Sequence, residues 1–491
     1  MIWSSLPATA VIIVVFSLVA QVLAASGLSY NGLALTPQMG WDTFNAYALD
    51  YDEDILMKNA QRLVDLGLRD LGYNVVILDD AMTEKTRSHD GKLIANATRF
   101  PSGLKSISKR FHNMGLQFGV YSSAGRFTCG GYPASLGYEE QDAQWWADLG
   151  VDYLKHDNCF NEGQSGNPKL SHDRFAVMSK ALNATGRKIT YSLCNWGDDK
   201  PWEWASTISN SARISGDIYD SFSRPSAGCP CSQDDFYCQI PGYHCNVMNI
   251  LGKASAIVSK NQPGYWNDLD MLEVGNGGMS YDEYKTHFSM WAIIKSPLIM
   301  GNKLDELSPE DYAILINPAV IAINQDPLGS AASRQWRVQE DKKDEYGYGE
   351  IQVWSGELAN GDHIVAFING GSGDQVISST LVEVFDGLRN SPKVQKSWDV
   401  YDLWGADTVM SNEVAARILG GESKLSHAEG YFNASRHGFQ DAIARNDSRV
   451  VGTYAKTVPA KGTLTADIPR HGVALFRLRE TSEGKGQKDE L

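Results

Sequence analysis

Between about residue 27 and residue 330 the chain alternates short β-rich runs with longer amphipathic stretches. The runs end at Gly40-Trp41, Val75-Val76-Ile77-Leu78-Asp79-Asp80, Phe118-Gly119-Val120-Tyr121 and Tyr153-Leu154-Lys155. They continue with Ile189-Thr190-Tyr191-Ser192-Leu193-Cys194, Ala212-Arg213-Ile214, Tyr265-Trp266-Asn267-Asp268 and Ile293-Ile294-Lys295-Ser296-Pro297. Helical patterns such as Ile55-Leu56, Ala60, Leu63-Val64 and Leu66 lie between them. Eight strand-helix units in this span predict an α/β fold of the (β/α)8 TIM-barrel type. Periodicity alone leaves an open, doubly wound sheet as a rival. In a barrel, chemistry gathers at the C-terminal strand ends, where the polar residues of these runs fall.

Beyond residue 330 the texture changes. Ile351-Gln352-Val353-Trp354 and Ile364-Val365-Ala366-Phe367-Ile368 are separated by Gly, Asn and Asp turns, and Val473 to Leu478 is a last short strand. This predicts an antiparallel β-domain over 331–480 packed on a barrel over 27–330, with Met410 to Ser448 as a less regular insertion.

The formal net charge of -15 argues against nucleic acid or an anionic membrane as a partner, since either calls for a basic patch. Residues 1–25 read as a secretory signal, with an apolar core around Val11 to Phe16 and small residues at Leu23-Ala24-Ala25-Ser26. An uncleaved anchor is the alternative, but the run is short for a membrane span. Asn-X-Ser/Thr sequons at Asn96, Asn183, Asn433 and Asn446 fit secretory entry. A polar tail over 481–491 ends in Lys488-Asp489-Glu490-Leu491, an address read by the KDEL receptor.

Seven cysteines leave at least one unpaired. Cys129 and Cys159 follow consecutive predicted strands, and a bridge there would rim the barrel mouth. Cys229, Cys231, Cys238 and Cys245 lie in an insertion between the sixth and seventh strands, and four cysteines permit three pairings. A zinc knot using the adjacent His244 competes with disulfides there. Cys194 is left over as a buried thiol in the site wall.

The chemistry concentrates in Tyr153-Leu154-Lys155-His156-Asp157-Asn158-Cys159. Side chains two apart on a strand share a face, so Lys155 and Asp157 project together from one strand end. Arg213 and Asp217 supply a second cation and carboxylate some sixty residues on. Two strand-end carboxylates are what glycoside hydrolysis needs. The bland alternative is a pair of ion pairs capping strand ends.

At these residues the chain resembles glycoside hydrolase family 27, whose best-known members are α-galactosidases. The resemblance runs from about Leu33 to Gly329. It is carried by Leu35-Thr36-Pro37-Gln38-Met39-Gly40-Trp41, Leu71-Gly72-Tyr73, Asp79-Asp80, Tyr153 to Cys159 and Leu193-Cys194-Asn195-Trp196-Gly197. Pro263 to Gly275 and Ile323-Asn324-Gln325-Asp326-Pro327-Leu328-Gly329 are longer and more specific matches. It implies a barrel followed by a C-terminal β-sandwich, and a retaining mechanism with Asp157 as nucleophile and Asp217 as acid/base. A retaining pair stands about 5–5.5 Å apart. Lys155 beside Asp157 is expected to favour its charged form.

The same resemblance implies that Asp79 and Asp80 hold the galactose 4- and 6-hydroxyls, with helix N-capping as the alternative for either. Lys155 and Arg213 would donate to ring hydroxyls, Trp41 would cover an apolar sugar face, and Tyr121, Cys194 and Asn195 would line the pocket. A Cys129–Cys159 disulfide would brace the wall, and Asp268 and Asp270 would support from behind. A further bridge usual in the family is absent here, since Leu49 and Ala81 stand at its ends and Met82 follows where an aromatic is usual. The first loop is therefore expected to be less tethered. No cofactor is implied, because water and two carboxylates suffice. An α-galactoside is the expected substrate. Asn195 and Trp196 look too bulky for an α-N-acetylgalactosaminidase, and the Asp79-Asp80 pair argues against a β-L-arabinopyranosidase. A non-catalytic galactose-binding protein of the endoplasmic reticulum would be expected to have lost a carboxylate.

Overall fold

The computed structural model describes residues 30–229, 244–385, 391–428 and 431–481. The expected leader, Cys231, Cys238 and the Lys488–Leu491 address lie outside the described residues.

Eight parallel strands form one curled sheet: β1 (Met39–Asp42), β2 (Val75–Leu78), β3 (Gln117–Ser123), β4 (Tyr153–Asp157), β5 (Thr190–Leu193), β6 (Ser211–Arg213), β7 (Trp266–Asp268) and β8 (Leu298–Met300). Their order is β7-β6-β5-β4-β3-β2-β1-β8. The gap between β7 and β8 is bridged by Leu272, whose N–H donates to the Ile299 carbonyl (2.7 Å) and whose carbonyl accepts from Gly301 (3.0 Å). The sheet is therefore a closed barrel rather than an open doubly wound sheet.

The eighth strand is one element later than expected. Ile293 ends the helix Tyr281–Ile293, Lys295 turns the chain at φ 63°, and β8 begins only at Leu298. Ile293 and Ile294 are fully buried, as are Phe288, Met290, Trp291 and Ala292 before them. A short, wholly apolar run carries no periodicity to tell a buried strand from a buried helix end.

Strand alternation sorts the side chains into two layers. Trp41, Val76, Leu78, Val120 and Leu154 join the core between barrel and helices. Val75, Ile77, Tyr153, Met271 and Ile299 fill the barrel interior. Gly40 faces inward with them in register with Val75. A Cβ there would lie 2.3 Å from the Val75 carbonyl oxygen, so β1 and β2 meet where only a hydrogen fits.

The C-terminal domain has a six-stranded antiparallel sheet ordered β14-β13-β16-β11-β10-β9, and a two-stranded sheet of β12 with β15. These are β9 (Ser333–Gln339), β10 (Glu350–Glu357), β11 (His363–Asn369), β12 (Gln375–Thr380), β13 (Trp398–Asp402), β14 (Thr453–Val458), β15 (Thr463–Ile468) and β16 (Val473–Glu480). Val353, Val365, Phe367, Leu464 and Phe476 close the space between the sheets. The less regular insertion is a set of short helices, beginning with Asn412–Leu419, laid against the barrel. Arg62 donates to the Leu419 carbonyl (3.3 Å), and Asn433 to Asp70 (3.4 Å).

Gly40→Ala is expected to lower stability by about 2 kcal/mol or more, since backbone rather than a flexible side chain must give way. Thermal unfolding checks this, and an unchanged midpoint would refute the close approach.

Candidate active site

The inward-facing positions at the C-terminal ends of β1 to β7 bring Asp42, Asp79, Lys155, Asp157, Arg213, Asp268 and Asp270 to one mouth. Lys155 pairs with Asp79 and Asp42, not with Asp157 as in the alternative of ion pairs capping strand ends. Its Nζ lies 2.6 Å from Asp79 Oδ2 and 3.8 Å from Asp42 Oδ2. Burial pulls the ammonium pKa down, but those two carboxylates outweigh it and raise it well above the ordinary value. The Asp42 carboxyl is pushed well up by burial and by the negative charge of Asp79. Asp42 was missed from sequence because the first run was ended one residue early, at Trp41. Its parity with Gly40 is the signal that could have found it.

Asp79 and Asp80 cap no helix. The next helix, Leu104–Asn113, lies more than twenty residues on and is preceded by Gly103. Asp79 Oδ1 accepts the Asp80 N–H (2.7 Å), and its carbonyl accepts the Tyr51 hydroxyl (2.5 Å). Asp80 accepts the N–H groups of Ala81 (2.8 Å) and Gly130 (2.6 Å).

Asp157, the last residue of β4, is buried. Oδ2 accepts the Tyr121 hydroxyl (2.9 Å) and Oδ1 the Asn158 N–H (2.8 Å). Its pKa is nevertheless pushed up to about 7, first by burial and then by the charge of Asp217, against the pull of Lys155 and these donors. The Cys129–Cys159 disulfide lies alongside, with Cys129 Sγ 3.5 Å from Asp157 Oδ2. Among the described residues the one metal-like grouping is Cys129, Asp157 and Cys159, and both its thiols are spent in that bridge. Of the four clustered cysteines, Cys229 pairs with Cys245.

Arg213, the last residue of β6, sets one amino group 2.9 Å from Asp217 Oδ1 and 2.7 Å from Asp270 Oδ2. Asp270 also accepts the Ile218 N–H (2.7 Å), so one carboxylate fixes both the cation and the chain beyond Asp217. The Asp217 side chain is 45% exposed, whereas that of Arg213 is 3% exposed. Asp268 is raised to about 6 by burial, against the pull of Arg213. The Cys194 thiol is free and buried, 3.6 Å from Arg213 Nη1. Asn195 is buried, its amide donating to the Asp198 carbonyl.

Trp41 does not line the mouth. It is fully buried on the outer face of β1, donating its indole N–H to the Asn302 carbonyl (2.7 Å), because its neighbours Gly40 and Asp42 take the inward positions. An open groove of about 510 Å³ adjoins Asp217 and is lined in part by Phe44, Asn45, Tyr219 and Glu273. The first loop, expected to be less tethered, is tied by the Arg99 guanidinium, which donates to the carbonyls of Leu49 and, at 3.2 Å, Tyr51.

Fold and mouth together define a barrel enzyme with clustered carboxylates and a C-terminal β-domain. The family description "Alpha galactosidase A" matches residues 36–326, and "Alpha galactosidase C-terminal beta sandwich domain" matches 348–425. An α-galactosidase of Lachancea cidri is 51% identical over 460 residues, covering 94% of this chain and 97% of that one. The solved α-galactosidase of Saccharomyces cerevisiae, known also with raffinose, superposes with a TM-score of 0.90 at 47% identity, covering 92% of this chain and 99% of the other. α-Galactosidase I of Mortierella vinacea gives 0.77 at 42% identity, with the same coverage. The chain belongs to the α-galactosidase family, the melibiases of glycoside hydrolase family 27.

A carboxyl raised from 3.8 to about 7 makes the native state hold a proton that the unfolded chain releases. Below pH 3.8 both states are protonated and nothing is lost; between 3.8 and about 7 stability falls as pH rises, and above 7 the whole cost is present. Asp157→Asn is therefore expected to be more stable than the wild type by roughly 2–4 kcal/mol at pH 8, and by little at pH 4. Denaturant melts at the two pH values check this, and a difference that does not grow with pH would refute it. Ala81 sits at φ 82°, a costly conformation for a side chain bearing a Cβ. Ala81→Gly is expected to gain up to about 1 kcal/mol, strain relief exceeding the entropy added to the unfolded chain. A loss of stability in the same melts would refute it.

Proposed function

We propose that the protein is a retaining exo-acting α-galactosidase that removes terminal α-D-galactosyl residues from oligosaccharides, galactomannans or glycoconjugates. The observation that carries this reading is the pairing of a buried carboxylate on a rigid strand end, Asp157, with a half-exposed one, Asp217, across a mouth lined by hydrogen-bonding groups. In the first step Asp157 attacks the anomeric carbon while Asp217 gives its proton to the departing glycosidic oxygen. In the second, Asp217 takes a proton from water, which displaces Asp157 from the anomeric carbon with net retention.

Asp79 and Asp80 would accept from the 4- and 6-hydroxyls of the galactosyl ring, with Lys155 and Arg213 as donors and Tyr121, Cys194 and Asn195 as the wall. The prior ion pairs of the two cations orient them before the sugar arrives, and that preorganisation lowers the cost of binding. The solved Saccharomyces cerevisiae relative with raffinose and the high identity to α-galactosidases support an α-galactoside over the N-acetylated or pentose alternatives. The leader, the sequons and the two disulfides support passage through the secretory pathway, with Lys488–Leu491 offered to the KDEL receptor. Among the described residues no helix is long and apolar enough to cross a membrane.

Hydrolysis of p-nitrophenyl α-galactoside, beside its α-N-acetylgalactosaminide and β-L-arabinopyranoside counterparts, tests the reading. Selective cleavage of the galactoside with retained configuration is expected. Asp217→Asn should lose roughly 10²–10⁴-fold in kcat with an unactivated galactoside. Asp157→Asn should lose more, because no covalent intermediate can form. An active Asp157→Asn variant, or inverted product, would overturn the mechanism.

A further inference from the structure

We propose that His471, in the C-terminal β-domain and outside the sugar pocket, is a positioning residue for Asp217. This rests on reading Asp217 as the acid/base. Asp217 is not on a strand: it lies four residues past β6, at the start of a segment that rejoins the barrel at the helix Val247–Ala254. The near end of that segment is fixed to the barrel side. The Asp217 carbonyl accepts the Cys245 N–H (2.7 Å), and the carbonyls of Ser221 and Phe222 accept the N–H groups of Val247 and Met248, each at 3.0 Å.

The outer face of the segment rests on the β-domain. The Phe222 ring stacks on the His471 imidazole, centroids 4.4 Å apart and planes 20° apart. Ser223 Oγ donates to Asp344 Oδ2, and His471 Nε2 faces that same oxygen at 3.4 Å. Asp344 cannot drift, because its other oxygen accepts the N–H groups of Tyr346 and Tyr348, each at 2.8 Å.

His471 is itself fixed from two sides. Its Nδ1 lies 2.6 Å from Glu283 Oε1 of the barrel helix Tyr281–Ile293, and its carbonyl accepts Thr286 Oγ1 (2.8 Å) from the same helix. It turns the chain between β15 and β16 at φ 55° and is 2% exposed. One imidazole thus joins the segment bearing Asp217, the loop between β9 and β10, and the barrel wall.

Without the ring, Phe222 loses its stacking partner, and the partly buried Glu283 and the buried Asp344 face a gap with nothing between them. The segment then keeps its barrel-side ties but loses its outer support, and proton transfer to a leaving oxygen is sensitive to about 1 Å of displacement. Asp157, in contrast, is held by β4, Tyr121 and the Cys129–Cys159 bridge, none of which touches this clamp. Loss of His471 should therefore damage acid catalysis and leave nucleophilic attack intact.

The test compares kcat/KM, which reports the glycosylation step, for methyl α-galactoside, whose leaving group needs a proton, and 2,4-dinitrophenyl α-galactoside, whose leaving group does not. In folded His471→Ala the first is expected to fall at least about tenfold and the second to stay within about twofold. Ser223→Ala, which removes only the hydroxyl on the segment side, should show the same split at roughly threefold, and decides the matter if His471→Ala does not fold. His471→Gln, which keeps a donor for Glu283, should recover part of the loss. Equal losses on both substrates, or no loss on either, would overturn the proposal. Asp217→Asn is the control: a split there without one in the clamp variants defeats the clamp alone. No split in Asp217→Asn defeats the acid/base reading on which the clamp depends.

Discussion

Two buried cations sharing four carboxylates hold the mouth of this barrel together. Lys155 lies between Asp79 and Asp42, and Arg213 between Asp217 and Asp270. Taking such charges out of water costs several kcal/mol per ion, which only close partners offset. The barrel supplies those partners because its curled sheet brings the ends of β1, β2, β4, β6 and β7 within reach across one mouth. Burial first, and then the charge of Asp217, lifts Asp157 toward neutrality against the pull of Lys155. The electrostatic character of the mouth therefore belongs to the ring of strand ends, and a change at any member is felt by the rest.

Most of this ring was readable as parity. Lys155 with Asp157 follows from two-residue alternation on one strand, and seven of the eight expected runs overlap one of the strands β1 to β7. What failed, failed for physical reasons. Trp41 was placed in the pocket by the resemblance, but its parity sends it outward into the helix layer. The eighth run was wholly apolar and so gave no periodicity to divide helix end from strand. The expectation that Lys155 would keep Asp157 charged used proximity along one strand, whereas the long ammonium side chain reaches across to Asp79 on another. Pairings between strands are set by register and stagger, which the sequence does not display.

The missing bridge near Leu49 and Ala81 shows the same limit from the other side. The absence of both cysteines is plain in the sequence, and a looser first loop is the natural expectation. Yet Arg99 binds two carbonyls of that loop, and Tyr51 reaches back to the carbonyl of Asp79. Noncovalent ties stand where a covalent one is usual. Nothing in the spacing of Arg99 announces that task, because its partners are backbone atoms, which every residue has.

The two central carboxyl groups are built on unlike supports, and their chemistry explains why. In the mechanism proposed above the nucleophile must meet one carbon along one line, a task that suits Asp157 on a strand end with a disulfide beside it. The acid/base of that proposal must follow a leaving oxygen and then an incoming water, a task that suits Asp217 in a half-exposed place on a loop, beside an open groove. A loop by itself is a poor positioning device. The cost of that freedom is met by a second anchor outside the barrel. In this chain such an anchor exists where Phe222 and Ser223 meet His471 and Asp344, so the C-terminal domain lies in structural continuity with the chemistry rather than beside it.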